Sequence, residues 1–245
     1  MPVILSPAKY GKVWEKPVKI YYLDSLMLKK DFDRLSQTVT EIRKEKLYSL
    51  KNENDKLNCL AVGVMLNSLL GITADEELKY NEYGKPYLNK GMPEIYFNFT
   101  HTGHLVFMAI DNEEIGIDAE NIKSITPGMN RIIEKKYDST ERAYIYEEKK
   151  INADKRFAEI WTLKEAVIKY TGYGLKLEIE RVHTNFSYLP KRNITGALID
   201  NDEKKAVFSA NTCFLNTILT VVNGRGIVLN DKIIADFACY INAAN

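Results

Sequence analysis

The sequence lacks any apolar run close to the roughly 20 residues that a helix needs to cross a bilayer, so we expect no membrane span. Its 34 basic and 33 acidic residues leave a formal charge of +1, which argues against a nucleic-acid binder that works through bulk charge. The three cysteines are scattered, so neither a disulfide framework nor a zinc knuckle is indicated. Lysines lie where the apolar core of an N-terminal signal peptide would have to be, and we expect a cytoplasmic protein.

The composition is that of a globular protein, because 45% of the 245 residues are hydrophobic. A chain of this length forms one large domain or two small ones. Helical and strand periodicity both occur along it, so we predict an α+β fold. The predicted strands span residues 18–23, 95–100, 105–110 and 115–120, the predicted helices span 40–50, 54–70, 127–135, 139–150 and 156–170, and short strands follow within 178–240.

Two carboxylates share one face of the predicted strand GIDAE, residues 116–120. Side chains two apart in a strand point the same way, so Asp118 and Glu120 face one side while Ile117 and Ala119 face the other. Like charges this close repel each other, and a hard divalent cation such as magnesium relieves the repulsion. The pattern suggests a metal site, and an edge strand with two solvated acids, which is a common arrangement, is the alternative.

The predicted helix 156–170 offers a third carboxylate and a cation. Glu165 and Lys169 lie one turn apart, where Glu165 could bind the same ion and Lys169 a phosphate held by that ion. The alternative is an ordinary surface pair of glutamate and lysine. Trp161 and Ile168 on the same side indicate that this side is at least partly buried.

His101 lies where an apolar strand gives way to a turn, in the segment FNFTHTG. The hydroxyls of Thr100 and Thr102, the imidazole and the backbone N–H groups near Gly103 could together hold a phosphate. A structural histidine bonded to a backbone carbonyl is the alternative. Zinc is a poor hypothesis, because the sequence has three histidines and no cysteine close to this one.

Three basic residues could meet a second phosphate. Arg43 and Lys46 are three residues apart and share one face of the predicted helix 40–50, and Lys85 lies in the turn EYGKP. Taken singly, each of them is most often a solvated surface charge.

Four motifs occur in one order along the chain: EYGKP at 82–86, FNFTHTG at 97–103, GIDAE at 116–120 and WTLKEAVIK at 161–169. Together they resemble the larger, Sfp-like type of 4′-phosphopantetheinyl transferase, over roughly residues 18 to 180. The resemblance implies two similar α+β halves related by a pseudo-twofold, with coenzyme A in the active-site cleft between them. We place the halves at residues 1–113 and 114–245, the second carrying the metal and catalytic residues.

The resemblance also implies roles for individual residues. The magnesium ligands would be Asp118, Glu120 and Glu165, and manganese could replace the magnesium. The catalytic residues would be Glu165, Lys169 and His101. The contacts to coenzyme A would be Arg43, Lys46, Lys85, Pro86, Thr100, His101, Thr102, Lys164 and Lys169.

Two departures from the family pattern concern the coenzyme contacts. Thr100 and Thr102 stand where the family has serines, which keeps each hydroxyl and adds a methyl group. Asn58 falls near the place where relatives often carry an arginine for the coenzyme.

The reaction implied is transfer of the 4′-phosphopantetheine arm of coenzyme A to a serine of an apo acyl or peptidyl carrier protein, with release of 3′,5′-ADP. The base for the serine proton would be Glu165 or His101. We expect a monomer that binds neither nucleic acid nor membrane. Two alternatives remain: a magnesium-dependent phosphohydrolase acting on a nucleotide or on the coenzyme A pyrophosphate, and a coenzyme- or nucleotide-binding module without activity.

Overall fold

The computed structural model of the protein describes residues 18–89, 95–146, 152–185, 194–199, 206–224 and 234–236. Contacts divide the described chain into two compact units. The first contains the described residues up to Glu113 together with the strand Ile234–Asp236, and the second contains those from Glu114 to Asn230. Helices and sheets are mixed along the chain, as the α+β prediction required, whereas the pseudo-twofold relation between halves stays a prediction.

Within the described ranges the chain forms eleven strands and six α-helices. No helix there combines the length and the apolar character needed to cross a membrane. The strands are β1 (Lys19–Asp24), β2 (Leu78–Tyr80), β3 (Pro86–Leu88), β4 (Tyr96–Thr102), β5 (Leu105–Asp111), β6 (Ile115–Asn121), β7 (Val182–Asn185), β8 (Ile194–Ile199), β9 (Ala206–Phe214), β10 (Thr217–Asn223) and β11 (Ile234–Asp236). The helices are α1 (Phe32–Ser36), α2 (Glu41–Ser49), α3 (Glu53–Leu70), α4 (Pro127–Lys136), α5 (Ser139–Tyr146) and α6 (Ala153–Thr171).

The first unit is built on a four-stranded sheet in the order β11-β1-β5-β4. β5 is antiparallel to β1 and to β4, whereas β11 is parallel to β1. Gly103 opens the two-residue turn from β4 to β5 with a φ of 56°, a conformation that favours glycine. The sequence analysis assigned everything after residue 113 to the second half, but the structure pairs the last described strand with the first unit.

Helix α3 supplies much of the core of the first unit. Its residues Leu60, Met65 and Leu66 are buried in one cluster with Met108 and Ile110 of β5. The helix ends at Gly71, which has a φ of 70°, a conformation that favours glycine. Its N-terminal cap is Asn52, whose side chain accepts hydrogen bonds from two following backbone N–H groups.

The second unit is a five-stranded antiparallel sheet in the order β6-β10-β9-β8-β7. Helix α6 packs along β6 and β10. Its apolar face, which includes Leu163, Ala166 and Val167, is buried together with Val222 of β10. The helix predicted over 139–150 is described to Tyr146, and residues 147–151 lie outside the described residues.

Candidate active site

Gly116 allows β6 and α6 to approach closely. A side chain at this position would place its Cβ 2.1 Å from the Ala166 carbonyl oxygen and 2.6 Å from the Tyr170 nitrogen, distances that no real Cβ occupies. Because alternate residues of a strand share a face, Asp118 and Glu120 point to the same side as Gly116, toward α6. The glycine of GIDAE therefore brings the two acids against the helix that carries Glu165 and Lys169.

Asp118 is held between strand and helix. Its side chain is 9% exposed, and the Lys169 Nζ donates a 2.6 Å hydrogen bond to its Oδ1. Across the sheet Asp118 is paired with Thr220, whose hydroxyl lies 2.7 Å from that of Thr162 on α6. The sequence placed Lys169 on a phosphate, whereas in the structure its ammonium neutralises Asp118.

The proton affinity of Glu165 is raised by its surroundings. Burial raises the pKa of its carboxyl above the ordinary value, the negative charge of Asp118 raises it further, and Lys169 opposes both effects. The two carboxylates are therefore near enough to repel each other, as the prediction of a shared cation required. A carboxylate with a raised pKa is a stronger base, so Glu165 is better suited to accept a proton.

Glu120 has a different partner. The Lys123 Nζ lies 3.2 Å from its Oε1, and the Glu120 side chain is half-buried. Within the described ranges, no three His, Cys, Asp or Glu side chains converge closely enough to hold a metal ion. The structure thus brings Asp118 and Glu165 together and leaves Glu120 paired with a lysine.

Lys164 is buried, and this corrects its prediction as a coenzyme contact. Its side chain is 1% exposed, and its Nζ lies 2.8 Å from the Oε1 of Glu141, which is fully buried. The same ammonium donates to the backbone carbonyls of Ile179 and Val182. Because its ammonium is paired and hydrogen-bonded inside the second unit, Lys164 holds α6 against α5 and β7 and does not reach a ligand.

Tyr137 lies between the buried ion pair and the site. The Lys164 Nζ is 5.0 Å from the centre of its ring. Its hydroxyl is a buried group without a hydrogen-bond partner in the described structure. Burial raises the pKa of the Tyr137 phenol, and the charges of Glu141 and Glu165 raise it further, so the hydroxyl is close to the acidic site. Tyr137 was not predicted as a site residue, because it lies outside the four sequence motifs.

His101 and its neighbouring threonines do not share one surface. His101 is exposed, whereas Thr100 and Thr102 are buried, as the alternation of β4 dictates. The structure therefore does not bring the three side chains together as the prediction of a jointly held phosphate required. In this segment His101 and Gly103 are exposed, and His101 offers the exposed side chain.

The predicted basic contacts belong to the first unit. Arg43 is half-buried on α2, where its guanidinium lies 5.8 Å from the centre of the Phe99 ring, and Lys46 is exposed on the same helix. Lys85 and Pro86 are half-buried at the start of β3, after a turn in which Gly84 has a φ of 87°. The roles predicted for these four residues stay predictions.

Comparison with known proteins identifies the class of this site. A family model described as the 4′-phosphopantetheinyl transferase superfamily matches residues 114–214, the stretch that contains β6 and α6. The chain is 31% identical to the 4′-phosphopantetheinyl transferase ffp of Bacillus subtilis, over 66% of this chain and 74% of the relative. It is 28% identical to the 4′-phosphopantetheinyl transferase Sfp of Bacillus subtilis (strain 168) over the same shares, 66% and 74%. It is 29% identical to the 4′-phosphopantetheinyl transferase gsp of Aneurinibacillus migulanus, over 71% of this chain and 70% of the relative.

The site is thus that of a group-transferring enzyme, and the non-enzymatic alternative is set aside. The chain belongs to the 4′-phosphopantetheinyl transferase family, in its Sfp-like type, as the four motifs predicted. This membership gives no support to the phosphohydrolase alternative.

Proposed function

We propose that this protein transfers the 4′-phosphopantetheine arm of coenzyme A to a serine of an apo acyl or peptidyl carrier protein. The serine oxygen forms a new bond to a phosphorus of the coenzyme pyrophosphate, and the bond from that phosphorus to the leaving 3′,5′-ADP breaks. The observation that carries the proposal is the packing of Asp118 on β6 against Glu165 and Lys169 on α6, within the stretch that matches the family.

The acids of this site have the chemistry that a hard divalent cation needs. Asp118 and Glu165 repel each other, and carboxylate oxygens are the ligands that magnesium prefers. We assign them as ligands of Mg²⁺, or of Mn²⁺ in its place, with Glu120 as the third. When bound, such an ion neutralises charge on the pyrophosphate and on the departing 3′,5′-ADP.

Lys169, Glu165 and His101 stabilise negative charge on the pyrophosphate and accept the proton of the serine. The Lys169 ammonium, now on Asp118, is the cation that would donate to a phosphate oxygen as negative charge grows there. We assign Glu165 as the group that accepts the serine proton, because its partly buried carboxylate lies beside Asp118 and Lys169. His101 donates to the same pyrophosphate and is the second candidate for the base.

We assign coenzyme recognition to residues of the first unit. Lys164 is left out, because its side chain is buried and paired with Glu141. Arg43 and Lys46 would bind the 3′-phosphate, and Lys85 and Pro86 would border the adenine. Thr100 and Thr102 stay assigned as phosphate contacts, although both are buried and do not share a surface with the exposed His101.

The test is a mass measurement on an apo carrier protein incubated with the enzyme, coenzyme A and magnesium. The expected result is a carrier heavier by one phosphopantetheine group, with one 3′,5′-ADP released for each carrier modified. A chelator should abolish the reaction, and Mn²⁺ should restore it. Release of the nucleotide at the same rate without carrier would instead show hydrolysis and would overturn the proposal.

A panel of apo carriers from fatty acid, polyketide and nonribosomal peptide synthesis narrows the substrate. Comparing kcat/KM across the panel ranks the partners by transition-state binding. Glu159→Gln on α6 is the matched control for Glu165→Gln. Glu159 is not among the proposed metal ligands, and its carboxylate accepts a 2.6 Å hydrogen bond from the Tyr144 hydroxyl. Only the Glu165 variant should lose transfer.

A further inference from the structure

Asn58 is a buried amide in the middle of α3, only 2% exposed. Its Oδ1 accepts a 2.7 Å hydrogen bond from the Ser25 hydroxyl. Its Nδ2 donates a 2.9 Å bond to the Gly103 carbonyl oxygen and lies 3.5 Å from the Nδ1 of His101. One side chain thus contacts both the turn after β4 and the histidine that precedes it.

The orientation of the Asn58 amide follows from its partners. A backbone carbonyl can only accept, so the amide must present its nitrogen to Gly103. The oxygen then faces Ser25, whose hydroxyl can donate to it. Ser25 also donates its backbone N–H to the His104 carbonyl at 2.9 Å, so the turn is held from two sides.

This orientation decides which nitrogen of His101 carries the hydrogen. The Nδ2 of an amide donates and does not accept, so the Nδ1 facing it acts as an acceptor. In the neutral imidazole the hydrogen then lies on Nε2, at the other end of the ring. The His101 residue as a whole is exposed on the first unit.

We propose that Asn58 is a positioning residue for His101: it holds the imidazole in the Nε2–H tautomer, so that the ring donates through Nε2 to a phosphate oxygen of coenzyme A. This rests on the proposed function, in which His101 contacts the coenzyme pyrophosphate.

The tautomer can be observed directly with ¹⁵N-labelled histidine. The protein has three histidines, so the resonances of His101 are assigned by their loss in His101→Gln. At alkaline pH, long-range ¹H–¹⁵N spectra distinguish a protonated Nε2 from a protonated Nδ1. We expect Nε2–H in the unmodified protein; a dominant Nδ1–H form there overturns the proposal even if every Asn58 variant fails to fold.

Asn58→Leu removes both donors at similar volume and should shift His101 toward a mixture of tautomers. The matched control is Asn67→Leu on the same helix, since Asn67 donates to the Thr38 carbonyl at 2.6 Å and has no bond to the β4 turn. The control should leave the His101 spectrum unchanged. A His101 spectrum that is equally unchanged in folded Asn58→Leu overturns the proposal.

Kinetics test whether Asn58 acts through the histidine. We expect Asn58→Leu to raise the KM for coenzyme A about tenfold, equal to about 1.4 kcal/mol, with a smaller change in kcat. In a His101→Ala background the same substitution should change KM little, because the two effects are not additive. An equal effect in both backgrounds shows a role that does not pass through His101.

The proposed transferase function and the proposed role of Asn58 are tested independently. If the carrier gains no mass, the proposed function fails, while the tautomer measurement still stands as a property of the free protein. If transfer occurs but the tautomer is independent of Asn58, the transferase assignment stands and this inference is wrong.

Discussion

Breaking the buried ion pair of Glu141 and Lys164 should destabilise the second unit strongly. The substitution Lys164→Met keeps most of the side-chain volume and removes the ammonium. The Glu141 carboxylate then stays buried with only the hydrogen bonds from the Asp138 N–H and from Thr184. Leaving one partner of a buried pair uncompensated costs roughly 3–5 kcal/mol of unfolding free energy.

The double variant separates charge from packing. In Glu141→Gln combined with Lys164→Met both charges are gone. The single glutamine oxygen can still accept from Thr184, as Oε1 does, whereas the Asp138 N–H loses its Oε2 acceptor. We expect the double variant to be more stable than Lys164→Met alone, with a coupling energy of roughly 2–3 kcal/mol. The result would identify the loss in the single variant as the cost of an unpaired buried charge.

The assay is thermal and denaturant unfolding at neutral pH. At roughly 2–4 °C for each kcal/mol in a chain of this size, Lys164→Met should lower the melting temperature by roughly 6–20 °C. The matched control is Lys29→Met, which breaks a 2.7 Å pair with Glu53 whose side chains are both 66% exposed. The control should leave the melting temperature almost unchanged, and an equally small shift for Lys164→Met would refute the reasoning.

Three further predictions concern the site. Gly116→Ala forces a methyl group against the Ala166 carbonyl oxygen, and denaturant titrations should show a loss of roughly 1–3 kcal/mol. Asp118→Ala removes the carboxylate that Lys169 and the proposed cation bind, and turnover in the carrier mass assay should fall roughly 100-fold or more with an unchanged circular dichroism spectrum. Glu165 has a pKa raised above the ordinary 4.5, so the folded state binds its proton more readily than the unfolded state. With a chelator present, the wild type should therefore lose stability relative to Glu165→Gln as the pH rises above 4.5, and the difference should become independent of pH well below it.

A specific result would contradict each of these three predictions. Gly128→Ala is the control for the glycine, because a Cβ there meets only the Thr126 hydroxyl at 3.8 Å. Equal stabilities for the two glycine variants would contradict a close approach of β6 and α6. Near-normal turnover of Asp118→Ala would remove the metal assignment, and a stability difference for Glu165→Gln that does not depend on pH would mean that this carboxyl is not perturbed.

The order of the elements around the site was predictable because local patterns decide it. The alternation of β4, the continuous apolar run of β5, the turn at Gly103 and the end of α6 at Gly172 all follow from side-chain pattern and backbone freedom. Gly116 was visible as a glycine inside a strand, a position that commonly marks a close backbone approach. The sequence analysis did not use that indication.

What failed to follow from the sequence depends on partners distant along the chain. Lys164 precedes Glu165 in the sequence, which suggested a place in the same site. In the structure Lys164 is buried, because its ammonium pairs with Glu141 and donates to the carbonyls of Ile179 and Val182. Glu141 itself could have been noticed, because Asp138 and Glu141 form a reciprocal capping pair at the start of α5. Asn58 meets His101 across 43 residues, and no local pattern predicts such a contact.

The parallel pairing of β11 with β1 makes the first unit discontinuous in sequence. During synthesis, residues 18–113 emerge long before Ile234–Asp236, so β1 has one unpaired edge until the second unit has been made. An unpaired strand edge is a template for association with other chains. A chain ended by a stop codon before residue 234 should consequently be aggregation-prone, although every residue proposed for catalysis would be present in it.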